Sequence, residues 1–182
     1  DLDAWLSDQL RNALAPLDLP LLIRMHGAAA NRDREAMERW VEWLISARET
    51  AELRSEEASR GRALAELLVS WDLPRAQAWK PLLARSQAAG FALAAVSWGV
   101  SARETALGYA WAWLENLVLA GVKIVPLGQT QGQQLLERLV PRIPDTVAGA
   151  LAREDFEIGA SCPALAIASA AHETQYTRLF RS

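Results

Sequence analysis

The stretch Ser101-Ala-Arg-Glu-Thr-Ala-Leu-Gly-Tyr-Ala-Trp-Ala-Trp-Leu-Glu-Asn-Leu-Val-Leu-Ala-Gly-Val-Lys-Ile-Val-Pro-Leu-Gly-Gln129 decides the fold. Its first four residues are a capping box: the Ser101 hydroxyl and the Glu104 carboxylate can each satisfy a backbone donor left open at a helix start. Leu107, Ala110/Trp111, Leu114, Leu117/Val118 and Gly121 then recur at three-and-four spacing, which predicts one apolar stripe along about five turns. Gly108, Ala112, Ala120 and Gly121 are small enough for neighbouring backbones to come close. The expectation is a central helix over 101–122. Pro126 lacks an amide hydrogen and biases Val125 towards an extended conformation, so the helix stops there and leaves Lys123 at its end.

Outward from this helix the same periodicity recurs. Leu2, Trp5, Leu6, Leu10 and Leu14 predict a first amphipathic helix closed by Pro16, and Asp18-Leu-Pro20 reads as the N-cap of a second, over 21–30. Asp33 caps a third, with Ala36, Met37, Trp40, Val41, Trp43, Leu44 and Ala47 on a broad apolar face. The mixed-charge run Arg48 to Glu57 leads into Leu64, Leu67 and Leu68, which predicts a long helix weakened at Gly61. Another helix is expected over 76–98, with Pro81 near its start. Downstream, short helices are expected to Val140 and from Pro144 to about Ala152, followed by a loop over 153–163, an apolar helix over 164–172 and a polar tail. Strand-like alternation is absent from the pattern. The fold class expected is all-α: one domain over 1–172 of about eight or nine helices around 101–122, then a tail over 173–182.

Composition narrows the function classes. The chain has 182 residues, 51% hydrophobic, with a net charge of −3, a balance that suits one substantial core and lacks the basic surplus usual in nucleic-acid binders. No apolar run approaches the roughly 20 residues that span a bilayer. The single cysteine, Cys162, cannot form an internal disulfide and suits a reducing compartment, so a cytoplasmic protein is expected. Eight tryptophans are many for this length. Trp111 and Trp113 fall on different faces of the predicted central helix, which suggests that some tryptophans mark an interface.

The usual carriers of catalysis are missing. His26, His172 and Cys162 stand outside any recognised ligand spacing, so no dedicated metal site is expected, although a dimer would bring two copies of each together. No phosphate-cradling Gly-x-x-x-x-Gly-Lys loop occurs. The carboxylates of 49–57 alternate with arginines, the pattern of a solvated, self-paired helix face. Lys123 has two readings, a cation stabilising a helix C-terminus or a charge offered to a partner.

Three segments, Arg48-Glu-Thr-x-Glu-Leu-Arg54, Gly121-Val-Lys-x-Val-Pro-x-Gly-Gln129 and Ala170-x-His-Glu-Thr-Gln-Tyr-x-Arg-Leu-Phe-Arg-Ser182, together resemble the urease accessory protein family UreF. The last is long and unusual, and the three anchors cover nearly the whole chain. The resemblance implies an all-α protein without enzymatic activity or cofactor. It implies a homodimer that bridges a UreD/UreH-type accessory protein and the UreG-type GTPase, so that nickel reaches apo-urease. On this reading Lys123, Val125, Pro126, Gln129, Arg48, Glu49, Glu52 and Arg54 face the GTPase. His172, Thr174, Gln175, Tyr176, Arg178, Leu179, Phe180, Arg181 and Ser182 face the UreH-type partner. Continued as a helix, the tail would set His172, Tyr176, Leu179 and Phe180 on one face, with Arg178 and Arg181 off it, and it is expected to fold on binding. The family's amino-terminal Pro-x-Gly-x-Tyr pattern does not precede Asp1, so a chain shortened at that end is expected. Two other readings stay open: a small helical acid–base enzyme using Glu49, Glu52, Arg54 or His172, and a nickel-carrying dimer.

Overall fold

A computed structural model describes residues 2–125, 127–160 and 162–175. The described residues form helices joined by short connections, without a strand. Helices α1 (Leu2–Gln9), α2 (Leu19–Ala30), α3 (Arg34–Ser46), α4 (Ala51–Ser70), α5 (Ala76–Leu83), α6 (Gln87–Ser97), α7 (Ala102–Ile124), α8 (Gln129–Leu139), α9 (Ile143–Ala152) and α10 (Pro163–Glu173) follow in order. They share one core in which Leu14, Leu22, Met25, Met37, Leu44, Leu68, Leu93, Leu114 and Val147 are sealed from solvent. Each such side chain contributes roughly 1.5–3 kcal/mol of burial, so the core is the main source of stability.

The expected helix over 101–122 forms as α7. Its capping box is complete: Glu104 N donates to Ser101 Oγ, and Ser101 N donates to the Glu104 carboxylate at 3.0 Å. Val125 is extended, with φ −99° and ψ 140°. α7 packs on α1, α2, α6, α8 and α9, yet only the stripe Thr105, Ala106, Tyr109, Ala110, Leu114, Val118 and Gly121 is buried. That stripe is rotated from the expected one, and Trp111 stands exposed. The most enclosed pair is instead α2 and α6, with Leu21, Leu22, Met25, Ala88, Ala89, Ala92 and Leu93 inaccessible. The alanines of α6 let α2 and α4 approach from two sides.

Three boundaries differ from the sequence expectation. Pro16 does not end a helix: residues Leu10–Asp18 continue from α1 into α2 as a π-helical segment, whose wider turn moves the preceding carbonyl away from the proline ring. The freed Pro16 carbonyl accepts from Gly159 N at 3.0 Å, which fastens the loop after α9. Asp18 is consequently helical and caps nothing. The expected helix over 76–98 is broken at 84–86, where Ser86 turns extended and its hydroxyl accepts from Ala88 N; that N-cap wins over the continuous apolar pattern. The charged run over 48–57 is likewise divided. α3 stops at Ser46, Thr50 is the N-cap of α4, and its hydroxyl accepts from Leu53 N at 3.2 Å. Gly61 serves that same packing, because a Cβ there would lie 2.7 Å from Ser86 N and 2.8 Å from Ala84 O. The short helices α8 and α9 form as expected, with Pro144 in the first turn of α9.

Candidate partner-binding site

The connection from α3 to α4 is organised by Arg48. With the chain turning outward at Ala47 and back inward at Thr50, the Arg48 guanidinium points into the molecule. It donates through Nη2 to Asp18 Oδ1 and to Glu57 Oε2 at 3.0 Å, and through Nη1 to Asp18 Oδ2 at 3.4 Å. Both carboxylates are nearly enclosed. The second oxygen of Glu57 accepts from the Ser86 hydroxyl at 2.8 Å and Gln87 N at 3.1 Å. One guanidinium therefore ties together the start of α2, α4 and the start of α6, in charge-assisted bonds that suit its planar fork. Burial alone would lower the Arg48 pKa, but the Asp18 and Glu57 carboxylates outweigh it and hold the guanidinium firmly charged.

Beside this network lies a cavity of about 180 Å³ bounded by Trp5, Gln9, Arg60, Tyr109, Trp113 and, from α10, Leu165. Burial, reinforced by the Glu57 and Asp18 carboxylates, pushes the Tyr109 phenol well above its ordinary range. Its ring meets Phe91 edge-on at 5.3 Å.

The outer side of the same junction holds α10. Thr50 Oγ1 and Ser169 Oγ are 2.7 Å apart, His172 Nδ1 lies 2.8 and 2.9 Å from the two Glu52 oxygens, and Glu52 N donates to Glu173 Oε1 at 3.0 Å. Arg54 Nη1 donates to the Arg48 carbonyl at 2.7 Å. α10 has no buried residue, so this polar clip supplies much of its attachment. Residues expected to face two different partners thus meet: Glu52 pairs with His172. Arg48 faces inward, Glu49 and Arg54 are exposed beside the clip, and Thr174 and Gln175 are exposed beyond it. Tyr176, Arg178, Leu179, Phe180, Arg181 and Ser182 lie outside the described residues.

The segment from Gly121 to Gln129 is separate. Lys123 is exposed in the last turn of α7, about 20 Å along the helix axis from Tyr109. Ile124 and Val125 beside it are 61% and 41% exposed, a density of apolar surface that a capped helix end does not require. Gln129 is the exposed first residue of α8, and Gln131 Oε1 accepts from Gly128 N at 3.1 Å to cap it. Pro126 lies outside the described residues. Two glycines permit this corner: a Cβ on Gly121 would meet Leu2 at 2.6 Å, and one on Gly132 would meet Val122 at 2.7 Å.

A further exposed surface was signalled only by the tryptophan count. Trp71 and Trp98, 53% and 59% exposed, lie 6.0 Å apart at the edge of an apolar groove of about 390 Å³ lined by Leu64, Leu68, Phe91, Ala95 and Gly108. Asp18 and Glu57 were missed from sequence. The legible signal for Glu57 is its register with Gly61, Ala65 and Leu68 on the buried face of α4. Among the described residues no group of three or more His, Cys, Asp or Glu is placed to hold a metal. His26 Nε2 lies 2.8 Å from the Val100 carbonyl.

Known proteins give these surfaces a context. The UreF family model matches residues 1–140. A protein of Pseudomonas putida (strain W619) named urease accessory protein UreF is 51% identical over 179 residues, 98% of this chain and 80% of the relative. Proteins of the same name from Alcanivorax borkumensis and Citrobacter koseri are each 45% identical across the whole of this chain, which covers 82% and 81% of them. Likeness of this extent spans the core, the Arg48 junction and the α7 corner alike, and the chain belongs to the UreF family.

Proposed function

We propose that this protein is a non-enzymatic urease accessory protein, a scaffold that bridges a UreD/UreH-type protein and a UreG-type GTPase during GTP-dependent insertion of nickel into apo-urease. The observation that carries the accessory role is the 51% identity, over 98% of the chain, to a protein named for it. The bridging role is supported by two exposed surfaces on helices held to one core. The α10 surface, with His172, Thr174 and Gln175 continuing into the tail over 173–182, faces the UreD/UreH-type partner. The α7–α8 corner, with Lys123, Val125 and Gln129, faces the GTPase, and Glu49 and Arg54, exposed beside the α10 clip, are a second contact with it. Arg48 and Glu52 act from behind, one holding the junction and the other holding α10. The Trp71–Trp98 groove and the exposed Trp111 are the pairing face of a homodimer, since apolar surface of this kind is costly to leave in water. The protein works in the cytoplasm. No described helix is long and apolar enough to cross a membrane.

The test is activation of apo-urease by nickel in the presence of the other accessory proteins, with and without this chain and with Lys123→Ala. Losing a helix-end cation costs at most about 1 kcal/mol of stability, while a charge at an interface can contribute several times that to binding. The variant should therefore stay folded and activate poorly. Full activation by Lys123→Ala would remove the α7 corner from the proposal, and activation without the chain would remove the proposal itself.

A further inference from the structure

On the side of the molecule formed by the π-helical segment and the α8–α9 turn, four arginines line one groove of about 660 Å³: Arg11, Arg138, Arg142 and Arg153. This is a local reversal of sign in a chain of net charge −3. The arginines are poorly answered among the described residues, where only Arg138 has a carboxylate, Asp3 Oδ2 at 3.1 Å. Arg142 donates to the neutral Ser7 hydroxyl at 2.6 Å, and Arg153 Nη1 donates to the Glu157 main-chain carbonyl at 3.0 Å. Arg11 is exposed, and no carboxylate of the described residues lies within ion-pair distance of it. Arg153 Nε is buried with no acceptor, the one such side-chain atom among the described residues, and a buried donor of this kind gains from any acceptor brought to it. Asp145 is the acidic residue of the lining, and Ala15 and Pro141 add apolar surface.

We propose that this groove is a docking surface for an acidic segment of a protein partner. Guanidinium forks recognise carboxylates in bidentate pairs, and the apolar lining gives a peptide more to bury than a simple anion has. Arg142 and Arg153 bracket α9, about 16 Å apart along its axis, so an elongated segment can meet both where a small anion cannot. The surface shares no residue with the α10 and α7 surfaces assigned above, so the inference stands independently of the bridging role.

The test titrates the purified full chain with a glutamate-rich synthetic peptide, a DNA duplex and phosphatidylserine vesicles, following the arginine Nε–H resonances. The expected result is saturable binding of the peptide that shifts the Arg142 and Arg153 signals and weakens with salt. Arg11→Glu/Arg142→Glu should weaken it on the order of tenfold or more, because like charges would then face each other. Arg39→Glu/Arg103→Glu, an equal change of charge at exposed sites elsewhere, should leave it unchanged. Absence of peptide binding, equal loss in both double variants, or tighter groove-dependent binding of DNA or vesicles than of peptide would each overturn the proposal.

Discussion

Arg48 shows how a residue chosen from sequence for one role takes another in the fold. It sits between two nearly enclosed carboxylates, Asp18 and Glu57, and removing it leaves both uncompensated. Breaking a buried pair in this way costs about 3–5 kcal/mol, so Arg48→Ala should show that loss in urea unfolding. Glu57→Gln should cost less, since Asp18 still neutralises the guanidinium and the amide oxygen can still accept from Ser86. Equal losses would mean that packing, not charge, holds the junction. Tyr109 offers a check on the same pocket through pH. Its phenol is raised by burial and by the two carboxylates, so the folded state favours the protonated form. The resulting stabilisation is complete below the ordinary tyrosine pKa of about 10 and is lost as pH rises beyond it. Tyr109→Phe should therefore flatten the fall in stability above about pH 10. An unchanged alkaline limb would contradict the placement of the phenol. None of this was legible locally: Asp18 precedes a leucine and a proline and looks like a cap, and its partner Arg48 is 30 residues away.

At the scale of the element, what is local was legible and what depends on a neighbour was not. The α7 cap follows from Ser101 and Glu104 alone, and both halves of the box form. The break between α5 and α6 follows from Ser86, whose hydroxyl is useful as a cap only when the chain turns there to meet α4. Gly61 and Gly149 separate the two kinds of position. Alanine has the better helix propensity by about 1 kcal/mol, and at Gly149 nothing lies within 4 Å of the added methyl. Gly149→Ala should raise the thermal midpoint slightly. At Gly61 the methyl would meet main-chain atoms at 2.7 and 2.8 Å, which cannot rotate away. An overpacking cost of typically 1–3 kcal/mol then cancels or exceeds the propensity gain, so Gly61→Ala should lower the midpoint. A stabilised Gly61→Ala would show that α4 and the 84–86 turn are farther apart than described.

For the whole molecule, the all-α class was legible because helical periodicity runs through nearly every segment, whereas the pairing of α2 with α6 at the centre was not, since alanines carry little directional signal. The sequence motifs also gave no indication that Glu52 and His172 would touch. That contact bears on the tail. Deleting Thr174 to Ser182 leaves Ser169, His172 and Glu173 in place to hold α10, so the thermal midpoint should hardly change while binding of the UreD/UreH-type partner is lost. Retained binding would place the docking residues elsewhere, and a large fall in the midpoint would make the tail part of the core. The bridging claim itself is tested most directly by size-exclusion chromatography with light scattering on an equimolar mixture of this chain, the UreD/UreH-type protein and the UreG-type GTPase. The account predicts one species containing all three, which separates into unassociated partners when this chain is left out. A complex of the two partners that forms without it, or a chain that binds only one of them, would contradict the account.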